Sequence, residues 1–252
     1  AGSETGLVAY FRANEGSGTA LTDASGHGHG ASLQGVISPV ITGQIAHVGQ
    51  RDNYVFQVGA AGARVYVDAL TNSSSVLWSL AGPRGVLASN IGFQSTDSAN
   101  GLYVFDLVEG EYTFTVDGAG DFTGTYAFRL LDLAAATALT PGTPVDGELA
   151  LGNATRAYTF SASAGAQVYF DATNANGGAT YWRLLDPWGR TLWGPNYLSN
   201  DDVRLQTLPY AGVYTLLIEG RRDVGGNAYY GFNVQPVTDD AMVFLGEQSG
   251  FR

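Results

Sequence analysis

The chain has 252 residues, a formal net charge of −11, no cysteine and no lysine. An acidic chain is disfavoured as a partner for nucleic acid phosphates, the lack of cysteine excludes disulfides and thiolate metal sites, and the lack of lysine excludes Schiff-base chemistry. No apolar run approaches the ~18 residues of a membrane span. With 35 glycines and 14 tyrosines, the composition is typical of an all-β secreted or cell-surface protein rather than a cytosolic enzyme.

Residues 1–36 belong to neither of the repeats that follow. They open with an apolar segment that predicts a short strand, and a loop rich in glycine, serine and histidine comes after it. The strand candidates in this segment are Leu7, Val8, Tyr10 and Phe11.

Residues 37–133 and 147–237 are two copies of one unit, with residues 134–146 predicted as the linker and first strand of the second copy. Matching segments recur in the same order along both copies. The matches include Tyr54–Phe56 with Tyr158–Phe160, Ala61–Ala69 with Ala164–Ala172, and Gly110–Thr113 with Gly212–Thr215.

Within each copy the apolar residues alternate with polar ones, as in Tyr112, Phe114 and Val116. This period of two places one face of a strand in a core and the other towards solvent. Short alternating strands separated by Gly- and Pro-containing turns predict two tandem antiparallel β-sandwiches, jelly-roll-like, with strand-like extensions at both ends.

Residues 238–252 resemble the segment that opens the second copy, and so predict the first strand of a third copy. The strand candidates there are Met242, Val243, Phe244 and Leu245.

The repeat resembles the bacterial pre-peptidase C-terminal (PPC) domain family. The residues that carry this resemblance are Tyr158–Phe160, Val168–Asp171, Leu184–Gly189 and Ala211–Leu216, most clearly in the second copy. The resemblance implies a jelly-roll sandwich that serves secreted proteins as a non-catalytic accessory or structural module, sometimes with bound calcium. The N-terminal piece is similar to the opening of a concanavalin A-like, laminin-G-like lectin domain in Gly6–Phe11, Glu15–Thr19 and Asp23–Gly26.

The candidates for catalysis and metal binding are few. The sequence contains three histidines and no metalloprotease or nucleophile-elbow motif, so we expect no enzymatic activity and no required cofactor. Calcium takes hard oxygen ligands from carboxylates near strand ends. The calcium candidates are Asp171, Asp186, Asp201 and Asp202, with solvated acidic loops as the alternative interpretation.

Three aromatic residues of the second copy lie in or beside predicted turns. Trp188, Trp193 and Tyr197 have the chemistry to stack on a sugar ring or to pack on a neighbouring subunit, and partial burial under the loops is the alternative.

An orphan strand exposes unpaired N–H and C=O groups and pairs with a sheet edge, in its own chain or in a neighbour. We therefore expect an extracellular, non-enzymatic subunit of a fibre, matrix or adhesin, whose partners are copies of itself or neighbouring repeats of a larger surface protein. The alternative is an accessory module that binds polysaccharide or protein through the three aromatics.

Overall fold

The computed structural model describes residues 7–10, 20–21, 31–32, 40–175, 179–198 and 203–237. These residues divide into two compact units, with the boundary between Ala136 and Thr137, inside the predicted linker. The described residues form strands and three short 3₁₀ turns, with no α-helix among them. The predicted all-β class is confirmed.

The first unit contains eleven strands. They are β1 (Leu7–Tyr10), β2 (Ala20–Leu21), β3 (Ala31–Ser32), β4 (Ile41–Ile45), β5 (Arg51–Val58), β6 (Ala63–Ala69), β7 (Val76–Gly82), β8 (Gly85–Gly92), β9 (Val104–Leu107), β10 (Gly110–Gly118) and β11 (Gly124–Asp132). Two sheets, in the orders β1-β5-β10-β7-β8 and β4-β11-β6-β9, make the sandwich, and β2 pairs with β3.

The second unit repeats this arrangement. Its strands are β12 (Thr137–Ala138), β13 (Val145–Leu149), β14 (Thr155–Ala162), β15 (Gln167–Ala175), β16 (Thr180–Leu185), β17 (Thr191–Tyr197), β18 (Val203–Thr207), β19 (Gly212–Gly220) and β20 (Ala228–Pro236). Its sheets have the orders β12-β14-β19-β16-β17 and β13-β20-β15-β18, so every strand of one sandwich has a counterpart in the other.

The core of the first sandwich is aromatic and is filled by the inward residues of both sheets. Trp78 and Phe114 come from the five-stranded sheet, and Phe114 stacks on Phe128 of the four-stranded sheet with ring centroids 4.5 Å apart. The alternation read from β10 is observed, because Tyr112, Phe114 and Val116 are buried between less buried neighbours.

The core of the second sandwich follows the same plan. Trp182 is fully buried at the position of Trp78, and Phe170 contacts its ring edge-on with centroids 6.3 Å apart. Tyr158 lies edge-on to Phe232 across the two sheets at 5.2 Å.

A tyrosine pair links the two sheets of each sandwich. The hydroxyls of Tyr54 and Tyr126 lie 2.7 Å apart, and those of Tyr158 and Tyr230 lie 2.6 Å apart. Tyr126 also donates a hydrogen bond to the buried carboxylate of Asp52.

Candidate functional site

The five-stranded sheet of each sandwich ends in a parallel strand, although all other described pairings are antiparallel. In the first sandwich β1 pairs with β5, with Ala9 opposite Tyr54 and Tyr10 opposite Val55. In the second, β12 pairs with β14 in the equivalent place, with Thr137 opposite Tyr158. Each sandwich therefore has an edge that is closed by a strand supplied from the chain preceding the antiparallel sheets.

The second sandwich shows how this added strand is held. The N–H of Leu139, just after β12, donates to the carbonyl of Thr159 at 2.8 Å, and the Leu139 side chain packs against the core. Three residues later the N–H of Gly142 donates to the carbonyl of Val234 in the other sheet at 2.7 Å. The segment from β12 to Gly142 thus ties to both sheets and satisfies backbone groups that an open edge leaves unpaired.

The two added strands differ in how they are connected to their sandwiches. A short loop joins β12 to β13, whereas residues 11–40 separate β1 from β4. Lengthening a loop raises its closure entropy only slowly. A much longer stretch of sequence, which includes β2 and β3, therefore lies between β1 and the rest of its sandwich than between β12 and β13.

The predicted assembly strands fall partly within this site. Leu7, Val8 and Tyr10 lie on β1, at the edge of β5. Phe11 and the set Met242, Val243, Phe244 and Leu245 lie outside the described residues.

A second candidate site is the turn between β16 and β17. One oxygen of Asp186 accepts hydrogen bonds from the N–H groups of Trp188 and Arg190 at 2.9 and 3.0 Å, and the other accepts from Arg190 Nε at 2.8 Å. Burial raises the pKa of Asp186, but the hydrogen bonds from Arg190 and from the Trp188 backbone outweigh it and hold that pKa below its usual value. The turn is therefore cross-linked by hydrogen bonds to an ionised carboxylate.

This turn presents an aromatic surface to solvent. Trp188 is 52% exposed, and its ring lies edge-on to Tyr210 with centroids 4.7 Å apart. The Arg190 guanidinium carbon lies 5.0 Å from the Trp188 centroid and 5.7 Å from the Tyr210 centroid. We call Trp188, Arg190 and Tyr210 the aromatic platform.

The sequence reasoning missed Arg190 and Tyr210. The signal for Arg190 was present, because an Asp-Pro-Trp-Gly-Arg turn places the arginine near the Asp186 carboxylate. Tyr210 stands in a loop far along the chain, and only the fold brings it to Trp188. The first sandwich has Arg84, Val86 and Val108 at the three platform positions, so it lacks the platform.

The other two predicted aromatics lie apart from Trp188. The ring of Trp193 contacts Phe170 and Trp182 edge-on at 5.0 and 5.4 Å, so it packs against the core. Tyr197, at the far end of β17, stacks on Tyr181 at 4.5 Å and is 45% exposed. The structure does not gather Trp188, Trp193 and Tyr197 into one site.

Two of the four calcium candidates can be placed. Asp171 accepts a hydrogen bond from Gln235 Nε2 at 2.9 Å, and Asp186 uses both oxygens in its own turn. Asp201 and Asp202 lie outside the described residues. Across the described chain no three His, Cys, Asp or Glu residues cluster as a metal site would require, and calcium binding stays a prediction.

No family model matches this chain, and no curated protein matches its sequence. Among solved structures it is similar to PliG of Aeromonas hydrophila, a periplasmic lysozyme inhibitor of g-type lysozyme, with 14% identity over 40% of this chain and 96% of that one, at a TM-score of 0.31. It is also similar to the CUB1-EGF-CUB2 domain of human MASP-1/3, with 11% identity over 77% of this chain and 99% of that one, at a TM-score of 0.23. At these TM-scores neither similarity bears on function. In the described parts of the chain, no helix is long and apolar enough to cross a bilayer.

Proposed function

We propose that this protein is an extracellular or cell-surface structural subunit that associates with its own copies by adding a strand to the β5 edge. The observation that carries the proposal is the parallel pairing of β1 with β5: a strand that lies far from β4 in the sequence fills the edge of an otherwise antiparallel sheet. Such a strand can close its own sandwich or that of a neighbour with the same backbone hydrogen bonds.

A non-catalytic role agrees with the buried ion pairs, in which charged side chains are paired with each other inside the sandwiches. Asp68 pairs with Arg129, and Glu219 pairs with Arg183, inside the two units. Each pair joins neighbouring strands of one sheet, which is a structural use of buried charge.

The test is removal of residues 1–12, followed by negative-stain electron microscopy and light scattering of the purified protein. We expect the intact chain to form regular assemblies and the truncated chain to lose them. As a matched control, Val86→Lys places a charge on β8, the opposite edge of the same sheet, where Val86 is 70% exposed. Assembly that survives the truncation, or that only Val86→Lys abolishes, would reject the β5 edge as the joint.

The aromatic platform supports a second candidate function, a polysaccharide-binding module. An exposed indole held in a fixed turn is suited to stacking on the apolar face of a sugar ring. Trp188→Ala is expected to abolish pull-down by insoluble glycans and to leave the fold intact. Arg84→Ala, at the equivalent turn of the first sandwich, is the control and should leave pull-down unchanged.

Trp193→Ala shows what a loss of core packing does, so that its effect can be compared with the loss of glycan binding expected for Trp188→Ala. Because the Trp193 ring packs on the core, its truncation should lower the free energy of unfolding by about 3 kcal/mol or more. If Trp188→Ala leaves glycan pull-down intact, the polysaccharide module is wrong.

A further inference from the structure

We infer that Tyr181 and Tyr197 form an oxidative cross-linking site, at which a haem peroxidase with hydrogen peroxide joins the two rings as dityrosine. The site lies in the second sandwich and does not involve the β5 edge, so it goes beyond the proposed function. It depends on the stacking of the two rings, the exposure of Tyr197 and the hydrogen bond between the two side chains.

The hairpin of β16 and β17 places the two tyrosines directly opposite each other. Opposite side chains of antiparallel strands have Cβ atoms about 4.5–5.5 Å apart, so this register brings the rings together. The rings stack, with centroids 4.5 Å apart and planes inclined by 28°. The corresponding positions of the first sandwich hold Leu77 opposite Gly92, and no such pair can form there.

Two other tyrosine pairs in the described chain have a different geometry. Tyr54 meets Tyr126 through the hydroxyls, and Tyr158 meets Tyr230 in the same way. All four of these side chains are buried, and the rings of the second pair lie edge-on at 6.3 Å. Tyr197, in contrast, is 45% exposed. An oxidant at the surface therefore reaches the stacked pair in preference to the two buried pairs.

The hydrogen bond lets the oxidation pass from the exposed ring to the buried one. Burial, together with the hydrogen bond that Tyr181 donates to Tyr197, raises the pKa of Tyr181 to about 12, so this hydroxyl keeps its proton at neutral pH. The first oxidation takes one electron and one proton from Tyr197. Tyr181 then gives an electron and a proton to the Tyr197 radical across the contact. A second oxidation of Tyr197 leaves a phenoxyl radical on each ring.

Coupling of the two radicals completes the reaction. The unpaired electron of a phenoxyl radical resides partly on the Cε carbons beside the oxygen, and stacked rings bring these carbons face to face. A bond forms between one Cε of each ring, and the hydrogen on each of these carbons moves to the phenolic oxygen, which restores both aromatic rings. In total two electrons and two protons leave the pair, and one hydrogen peroxide molecule accepts them and becomes two water molecules.

The cross-link closes the outer hairpin of its sheet. β17 is the edge strand, the turn at Asp186 joins it to β16 at one end, and the tyrosine pair lies towards the other end. A covalent link there makes the hairpin a closed ring and restricts the unfolded chain, as a disulfide does. The chain has no cysteine and no lysine, so a disulfide or a lysine isopeptide bond cannot supply this link.

The experiment treats the full chain, at high dilution, with a haem peroxidase and hydrogen peroxide, followed by trypsin, which cleaves after arginine. Tyr197 is the only tyrosine of the tryptic peptide 191–204, and Tyr181 lies in the peptide 157–183. We expect dityrosine fluorescence from a protein that stays monomeric on a denaturing gel. Mass spectrometry should find the two peptides joined, lighter than their sum by two hydrogen atoms, with fragments that place the link at Tyr181.

Three variants test the assignment. Tyr181→Phe and Tyr197→Phe should each lose the joined peptides and most of the fluorescence, because a phenylalanine ring has no hydroxyl to oxidise. Tyr229→Phe removes a tyrosine that is 49% exposed and outside the pair, and it should leave the joined peptides unchanged. Circular dichroism checks that each variant is folded, and Tyr197→Phe changes an exposed side chain rather than the core.

Three outcomes would overturn the inference. One is an oxidised parent protein that contains no dityrosine. Another is fluorescence that persists in both Tyr181→Phe and Tyr197→Phe, which would place the coupling at other tyrosines. The third is dityrosine found only in covalent dimers, which would mean that exposed tyrosines of different molecules couple.

Discussion

Individual glycines show how tightly each sandwich is packed. A methyl group on Gly43 would lie only 2.3 Å from Cζ of Tyr126, and that ring is held by the hydrogen bonds of its hydroxyl to Tyr54 and Asp52. Since the ring has no room to withdraw, Gly43→Ala should lower the free energy of unfolding by about 2 kcal/mol. Gly59→Ala is the control, because no atom lies within 4 Å of the added methyl group. Urea unfolding measures both, and equal midpoints for the two variants would contradict this packing.

The same tyrosines predict a loss of stability in alkali. Burial raises the pKa of Tyr54 to about 12, and burial raises that of Tyr126 further. In the unfolded chain both hydroxyls ionise near pH 10. Above that pH the unfolded state has lost protons that the native state still holds, so the free energy of unfolding falls with rising pH, by about 1.4 kcal/mol per pH unit for each tyrosine.

Urea unfolding between pH 9 and pH 12 tests this sign. Below pH 10 both states hold the phenolic protons, and these groups contribute no pH dependence. Tyr126→Phe removes one of the two hydroxyls, so the free energy of unfolding should fall less steeply with pH above pH 10. Parallel curves for the two proteins would show that Tyr126 does not titrate as its burial requires.

At the scale of strands, the second sandwich departs from simple alternation. Every residue of β16 is buried, and in β19 both Leu217 and Glu219 on the outward face are fully buried. The outward face carries the ion pair of Arg183 with Glu219, at 3.0 Å. Removing one member of a buried pair leaves the other charge uncompensated, at a cost of about 3–5 kcal/mol.

Glu219→Gln is therefore expected to lower the free energy of unfolding by about 3–5 kcal/mol in urea titrations. The exposed pair of Arg221 with Asp223 offers the control, since Asp223→Asn should leave stability unchanged. A Glu219→Gln protein as stable as the parent would mean that the Arg183 charge does not depend on Glu219 for its compensation.

The strands and their repeat follow from the sequence, whereas the partner of a short strand does not. Period-two alternation and matched turns suffice to predict two sandwiches, because successive residues of a strand point to opposite faces and the pattern of apolar residues marks which face is buried. The pairing of β1 with β5 is set by which sheet edge lies open in the folded unit, and four residues carry no signal of that. The buried outward face of the second sandwich does have a signal in the sequence. Its apolar residues Leu185 and Leu217 occupy the positions of Ala81 and Thr115 in the first sandwich.

The candidate sites were also predictable to different degrees, because contacts between distant strands leave no signal in the local sequence. Trp188 in a turn and Trp193 in the adjoining strand look alike in the sequence, yet only Trp188 is exposed. The difference arises because Trp193 faces Phe170 across the core, a contact between strands of two different sheets.

At the scale of the whole molecule, the two sandwiches share one topology and differ in what they carry. The edge strand of the first lies far in sequence from the strand β4, whereas the second has an edge strand close in sequence to β13 and also carries the aromatic platform. If the first unit exchanges its edge strand as proposed, the two units would support stepwise joining, because each copy would bring one acceptor edge.

This asymmetry predicts how unfolding depends on protein concentration. If β5 accepts a strand from another molecule, dilution favours its release, and each tenfold dilution should lower the stability of the first sandwich by up to about 1.4 kcal/mol. The second sandwich is closed by β12 of its own chain and should unfold independently of concentration, which makes it an internal control. Calorimetric scans over a hundredfold range of concentration, with Gly43→Ala to identify the first-sandwich transition, measure both. If neither transition moves, the strand on β5 comes from the same chain and the sandwich does not exchange it.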